Sequence, residues 1–252
     1  MTEHEPARPA AAESDDDLRS ALSSLSHLAT GSLSLADALT QVTELAVRAI
    51  PGADGAGLTV LHDDRPDTVV AGADFVREID DIQFGLDEGP CITATRTGEI
   101  VRSGSLGGES RWPTFGSKVG RLGVHSVLSL PLHTADGVIG AMNVYAYAKN
   151  AFDTRAEQLG ELFAGPAAVS VQNARALAGA VLLAQRLEKA LTHRATIDHA
   201  IGILISRSGY TPAEAFDALR VISQQDNRKL SDIAQSLVDD AGRRARARHN
   251  ET

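Results

Sequence analysis

The sequence predicts an α+β N-terminal domain, an antiparallel sheet flanked by helices. A long connecting helix follows, then an all-α C-terminal bundle of three helices. Three observations predict this order. Short β-type stretches bounded by turn residues, GAGLTVL (55–61), HSVLSLPL (125–132) and VIGAMNVYAY (138–147), all lie before residue 150. From Asp153 to about Ser208 the apolar spacing is helical. After it stand two short amphipathic segments, TPAEAFDALRVISQ (211–224) and DNRKLSDIAQSL (226–237).

The elements follow in order. Residues 1–17, MTEHEPARPAAAESDDD, are acidic and rich in Pro and Ala, the composition of a disordered leader. Leu18–Leu28 and Leu33–Ile50 carry apolar residues at helical spacing, and Pro51-Gly52 ends the second helix. GAGLTVL (55–61) and TVVAGADF (68–75) read as strands joined by a turn at Asp63–Asp67. Residues 76–85 read as a short helix or loop, Gly89-Pro90 opens a helix over CITATRTG, and EIVRS (99–103) is a short strand. Trp112-Pro113 opens a helix reaching Gly123. HSVLSLPL alternates like a half-buried strand, and Ala135-Asp136-Gly137 turns it into VIGAMNVYAY. The first domain therefore spans 18–175, and the connecting helix 169–208.

Gly165-Pro166 is expected to kink or break the helical stretch. From Val169 to Arg207 one helix would run about 55–60 Å. Within it Leu183, Leu187, Ala190, Arg194, Ile197, Ile201 and Leu204 step by alternating fours and threes, a heptad seam that pairs with a second long helix. Gly209 ends it. Thr211-Pro212-Ala213-Glu214 is a capping box with proline at the first helical position. Ala215, Phe216, Leu219 and Ile222 give the next helix an apolar face, and Leu230, Ile233, Ala234 and Leu237 do so for the last. Ala200 and Gly202 lack bulk and read as packing positions, because glycine inside a helix costs roughly 1 kcal/mol relative to alanine. Residues 183–241 thus form the bundle, and 242–252 a basic tail.

Charge is uneven. Over residues 1–180, 24 acidic residues face 13 basic ones, whereas over 181–252 the basic residues lead 11 to 9. Contact with a polyanion belongs on the C-terminal part. No uninterrupted apolar run of about 18 residues occurs, so no membrane span is expected. The N-terminus lacks the regions of a signal peptide. The single cysteine, Cys91, excludes an intramolecular disulfide and fits a cytoplasmic protein. No HExxH, CxxC or phosphate-binding loop occurs, so no metal, cofactor or nucleotide chemistry is expected.

Arg220, Ser223, Asn227, Arg228 and Lys229 gather at the turn before the last helix, whose N-terminus adds positive potential and free N–H groups. Arg194 interrupts the apolar seam. It either pairs with Asp198 or contacts a phosphate or base at the seam's edge.

HRATIDHAIGILISRSGYTPAEAFDALRVISQQDNRKLSDIAQSLV resembles the ANTAR family of RNA-binding output domains. The resemblance rests on Arg194, Ile197, Ala200, Gly202 and Leu204, then Gly209, Ala215, Phe216, Leu219, Arg220 and Ser223, then Asn227, Leu230 and Ala234. Ile201 departs from the pattern, where many relatives carry a basic or polar residue. GLDEGPCITATRTGEIV, RWPTF, GVHSVLSLPL, GVIGAMNVYA and AFD, in that order, make 33–175 resemble a GAF domain. The pair resembles actinobacterial GAF–ANTAR transcription antitermination regulators. That resemblance implies a homodimer whose ANTAR domains bind paired RNA hairpins in leader transcripts and prevent a terminator from forming. It implies Arg194, Arg220, Ser223, Asn227, Arg228 and Lys229 as RNA contacts. It also implies a small-molecule ligand or partner protein at the GAF domain, in a pocket between the sheet and residues 76–123.

Two other readings stand beside it. Residues 211–240 also read as a loose helix-turn-helix for DNA, although the turn is long and Asp232, Asp239 and Asp240 suit a major groove badly. Relatives of the GAF fold that reduce free methionine sulfoxide use active cysteines with a resolving thiol. Cys91 has no second cysteine, so a buried structural thiol and no enzyme activity are expected.

Overall fold

The computed structural model of the chain describes residues 10–28, 34–62 and 65–250. It divides into two compact units, Met1–Ala178 and Gly179–Thr252.

The first unit is built on a five-stranded antiparallel sheet in the order β2-β1-β5-β4-β3. Its strands are β1 (Gly55–His62), β2 (Arg65–Ala71), β3 (Val101–Ser103), β4 (Ser126–Thr134) and β5 (Gly137–Ala146). Helices α1 (Ala10–Leu28), α2 (Leu35–Ala49) and the start of α6 (Thr154–Ser208) cover one face. Helices α3 (Asp74–Leu86), α4 (Pro90–Thr97) and α5 (Pro113–Arg121) cover the other.

The two faces differ in chemistry, and the strand period of two separates them. Leu58, Val60, Leu128, Leu130, Leu132, Met142 and Val144 point to α1, α2 and α6 and are fully buried there. From α6, Ala156, Leu159, Phe163, Ala167, Ala168 and Val171 meet them. The approach is close: a Cβ on Gly160 would lie 2.9 Å from Leu130 Cδ1. The opposite face carries Gly57, Thr59, Ser129, Ala141, Asn143 and Tyr145, small or polar and also buried.

Several expectations are corrected. The segment read as leader is helical from Ala10 onward, and its first nine residues lie outside the described residues. Alanine is the best helix former, Glu13 suits the first turn, and Asp15 pairs with Arg155. TVVAGADF is not one strand: β2 ends at Ala71 and α3 starts at Asp74. Within the turn expected at Asp63–Asp67, β2 already begins at Arg65, and Asp63 and Asp64 lie outside the described residues. From Ser126 to Leu132 the strand is buried on both faces, because helices cover both sides of the sheet. The helix is not broken at Gly165-Pro166. Pro166 and Leu162 are both exposed, so the proline ring and the Leu162 carbonyl that loses its i+4 donor lie on the outer side of the helix.

Among the described residues one helix, α6, holds an 18-residue window with mean hydropathy 1.3, apolar enough by length and composition to cross a membrane. The same helix carries Gln172, bonded to Asp136, and Arg175, bonded to the Leu61 carbonyl. Those polar contacts tie it to the sheet.

The second unit joins the end of α6 to α7 (Pro212–Gln225) and α8 (Leu230–Asn250). Gly209, at φ 68°, stops α6. The capping box forms as its spacing requires: the Glu214 amide donates to Thr211 Oγ1, and the Thr211 amide to the Glu214 carboxylate at 2.8 Å. Ala200, Leu219, Ile233 and Ala234 are the buried centre, ringed by Ile197, Ile201, Leu204, Leu230 and Leu237. Phe216 and Ile222 are not core; Phe216 is 41% exposed. Ala215 and Leu219 occupy the buried face, and Phe216 lies on the flank. Ala200 is a packing position, but Gly202 is not, since a Cβ there would meet nothing within 4 Å. Gly202→Ala should therefore raise the unfolding free energy of this unit by up to about 1 kcal/mol, read by urea denaturation. A loss instead would mean that the bare helix face is needed by a second chain.

Candidate nucleic-acid interface and sensor pocket

The turn between α7 and α8 is held by its own chemistry. Asn227 takes the left-handed conformation, φ 51°, which asparagine tolerates better than most residues. Ser223 spans the turn: its hydroxyl donates to the Arg228 carbonyl and its carbonyl accepts the Arg228 amide at 3.1 Å. The Lys229 carbonyl takes the first amides of α8, from Asp232 and Ile233. Asn227, Arg228 and Lys229 are exposed beside that helix N-terminus, which has free N–H groups and partial positive charge.

The structure thus brings four of the six expected contacts, Ser223, Asn227, Arg228 and Lys229, to one turn. The Ser223 hydroxyl is committed to it. Arg228 leans on Ser236 at 3.2 Å. Arg220 is exposed on α7 and pairs with Asp217 at 3.0 Å, a surface pair weak enough for a phosphate to displace. Arg194 is exposed on α6 and has no ion pair with Asp198 or any other described residue. Arg243, on α8, pairs with Asp240.

The heptad seam divides in two. Ile197, Ile201 and Leu204 enter the bundle core. Leu183 and Leu187 are each 57% exposed and Leu191 is 70% exposed. Leu177, Val181 and Leu182 are exposed on the same helix.

In the first unit, the buried polar face of the sheet meets α3 and α4. Asp80 and Gln83 descend from α3, Cys91 from α4, Thr59 from β1, and Asn143 and Tyr145 from β5, all buried. Gly89, at φ 152°, opens α4; a Cβ there would strike Gln83 Oε1 at 2.2 Å. The close approach lets the Cys91 amide donate to that oxygen at 2.9 Å. The cover is pinned from outside. Trp112 donates to Thr93 at 2.9 Å, and Glu88 accepts the Thr114 and Phe115 amides that start α5.

Tyr145 donates to Asp80 Oδ1 at 3.3 Å, and Ser129 donates to Asn143 Oδ1. Four buried polar atoms in the described residues have no hydrogen-bond partner: Thr59 Oγ1, Asp80 Oδ2, Gln83 Nε2 and Asn143 Nδ2. All four belong to this cluster. Burial, opposed by the Tyr145 hydrogen bond and reinforced by the Asp81 charge, raises the Asp80 carboxyl to about 7. Burial also pushes the Cys91 thiol up to about 11, with Asn143 and Thr59 beside it opposing the shift. A thiol held neutral is a poor nucleophile.

None of Thr59, Asp80, Gln83 or Asn143 is singled out by spacing. One signal was available. Val76, Asp80 and Gln83 share one helix face, so two polar residues take buried positions, and Asn143 interrupts an otherwise apolar strand.

An α+β domain with a buried polar cluster, followed by a small helical bundle with an exposed basic turn, is the class of sensor–output regulators. The comparisons make this specific. A GAF domain family model matches residues 32–172, and an ANTAR domain model matches 185–238. The chain belongs to the GAF family and carries an ANTAR domain after it, the architecture of an RNA-binding, signal-sensing regulator of transcription. The GAF domain of a phosphoenolpyruvate-protein phosphotransferase from Coxiella burnetii is similar in fold, with TM-score 0.51 at 18% identity, over 68% of this chain and 99% of that one. The A. aeolicus nlh2 GAF domain in an inactive state gives TM-score 0.49 at 10% identity, over 63% and 98%. Free methionine-R-sulfoxide reductase from Neisseria meningitidis, in complex with its substrate, gives 0.48 at 14%, over 70% and 98%. No curated protein matches the chain.

Proposed function

We propose that the protein is a cytoplasmic, homodimeric transcription antitermination regulator. A signal received by the GAF domain controls how the ANTAR domains bind tandem RNA hairpins in leader transcripts, and the bound hairpins keep a terminator from forming. The observation that carries the RNA reading is the ANTAR match over α6, α7 and α8 together with the exposed Asn227-Arg228-Lys229 turn at the start of α8. Arg194 and Arg220 add cations on α6 and α7. Hairpin loops expose unstacked bases, which a polar turn of this kind can read while the arginines hold phosphates. Both matched domains are regulatory, and the neutral buried Cys91 suits a sensor better than an enzyme. The DNA alternative is less favoured, because α8 carries Asp232, Asp239 and Asp240 where a recognition helix would enter a groove.

The test is a titration of three probes at two salt concentrations: an RNA with two tandem hairpins, the same RNA with scrambled loops, and a matched DNA duplex. Preference for the intact RNA is expected. Equal, steeply salt-dependent binding to all three would reduce the surface to a basic patch. The paired variant Arg228→Ala/Lys229→Ala should lower RNA affinity and flatten the salt dependence by a slope of roughly one per phosphate contact removed. An unchanged slope would place the phosphate contacts elsewhere.

A further inference from the structure

The helical unit holds two aromatic rings, Tyr210 and Phe216, and its core uses neither. That core is Ala200, Leu219, Ile233 and Ala234, ringed by aliphatic side chains. Large rings ordinarily dominate a small core, yet each of these is 41% exposed. We infer that Phe216 is the platform on which an unpaired base of the RNA hairpin loop stacks, at the end of a strip of α7 that runs through Arg220 to the basic turn. This rests on RNA binding by the ANTAR domain and deepens it, because it adds a side chain that meets a base.

Helix geometry places Phe216, Arg220 and Ser223 on one strip of α7, at spacings of four and three. Ser223 fixes where that strip leads. Its hydroxyl donates to the Arg228 carbonyl, and its carbonyl accepts the Arg228 amide. The Asn227-Arg228-Lys229 turn therefore begins where the Phe216 strip ends. From Phe216 to Ser223 the helix rises only about 10 Å. Ala215 and Leu219 occupy the neighbouring buried face, so the covered part of the Phe216 ring is anchored and the rest is open.

The surroundings choose the occupant. A partner helix would need a stripe of large apolar side chains continuing from Phe216. The strip continues instead into Arg220, Ser223 and the polar turn. Val221 and Ile222, also exposed, are five and six residues on and face away from it. Among the described residues no other ring and no guanidinium stacks on Phe216. Arg220 pairs with Asp217 and leaves the ring uncovered. A lone ring bordered by cations suits an unpaired base, which lays its face on the ring while its phosphates meet the cations. A base within a duplex is already stacked on both faces, so the site takes loop bases and not duplex DNA.

The experiment is a double-mutant cycle between the full chain and the tandem-hairpin RNA. Phe216→Leu keeps apolar volume at the half-buried position and removes the flat face. Phe216→Tyr keeps the face. The RNA is used intact and with each loop base in turn replaced by an abasic residue. On intact RNA, Phe216→Leu should bind at least about tenfold more weakly and Phe216→Tyr like the wild type. The salt dependence should not change, because stacking releases no counterions. At one loop position the abasic RNA should weaken the wild type by the same factor, and there Phe216→Leu should lose nothing more. An equal loss on every abasic RNA would make the ring a structural support and overturn the proposal, and so would full affinity in Phe216→Leu. A second measurement needs no variant to fold: the Phe216 ring-proton resonances of the wild type should move upfield on adding the intact RNA. Unmoved resonances would also overturn the proposal. RNA binding itself is tested apart from this: it fails if the wild type treats intact RNA, scrambled loops and duplex DNA alike. Preference for intact RNA that is weakened by Arg228→Ala/Lys229→Ala and untouched by Phe216→Leu would keep RNA binding and remove the stacking platform.

Discussion

Replacing Leu183 and Leu187 together with glutamate is expected to turn a dimer into a monomer. It should lower affinity for a two-hairpin RNA roughly 100- to 10,000-fold while leaving single-hairpin affinity unchanged. The size follows from linkage. When two ANTAR domains share one dimer, the second hairpin is captured at an effective concentration set by the connection, and no new contact is needed. Both leucines are more than half exposed and belong to none of the three buried clusters. Surface changes of this kind usually cost within about 0.5 kcal/mol, so the fold should survive. Two glutamates facing their copies across a heptad seam would repel and be desolvated together. Light scattering with and without RNA gives the mass, and the two titrations give the affinities. A double variant that stays dimeric would move the interface away from the seam. A monomer that keeps full two-hairpin affinity would show that pairing of chains contributes nothing to binding.

The seam also shows what a sequence can and cannot yield. The repeat from Leu183 to Leu204 reads as one pattern, but its two ends do different work. Ile197, Ile201 and Leu204 are consumed by α7 and α8, and Leu183, Leu187, Ala190 and Arg194 remain uncovered. Period alone cannot distinguish a stripe that faces its own chain from one that faces another. Elements governed by local chemistry were legible: the Thr211–Glu214 cap, the proline starts of α4 and α5, and the turn into β5. Each depends on residues within one turn of each other. Elements decided by tertiary context were not. The first turns of α1, Ala10 to Asp17, looked like leader because they are acidic, whereas Leu18–Leu28 read as a helix, and its Leu18, Ala21 and Leu25 are buried in the first core. The α7–α8 turn was found because its residues are adjacent. The sensor cluster was missed because Thr59, Asp80, Gln83 and Asn143 are far apart in sequence and each looks like an ordinary surface residue.

Asp80→Asn is the second large effect, and its sign can be worked out. The carboxyl stands near 3.8 when solvated and at about 7 in the fold, mainly through burial. The folded state therefore holds the proton more tightly than the unfolded one. The resulting stability is fully present below about pH 4, is lost as pH rises from there to about 7, and is absent above. The difference between those two values corresponds to roughly 4 kcal/mol across that window. Asparagine keeps an oxygen for Tyr145 and cannot ionise. The variant should match the wild type near pH 4 and exceed it by several kcal/mol at pH 8. The measurement has a local reporter: Trp112 is the single tryptophan, buried in the cluster beside α3 and α5, so its fluorescence follows the GAF unit alone. Parallel pH profiles for the two proteins would mean that Asp80 does not titrate in this range. The expected divergence would mean that above neutrality the wild type carries a buried carboxylate whose lost hydration weakens the fold.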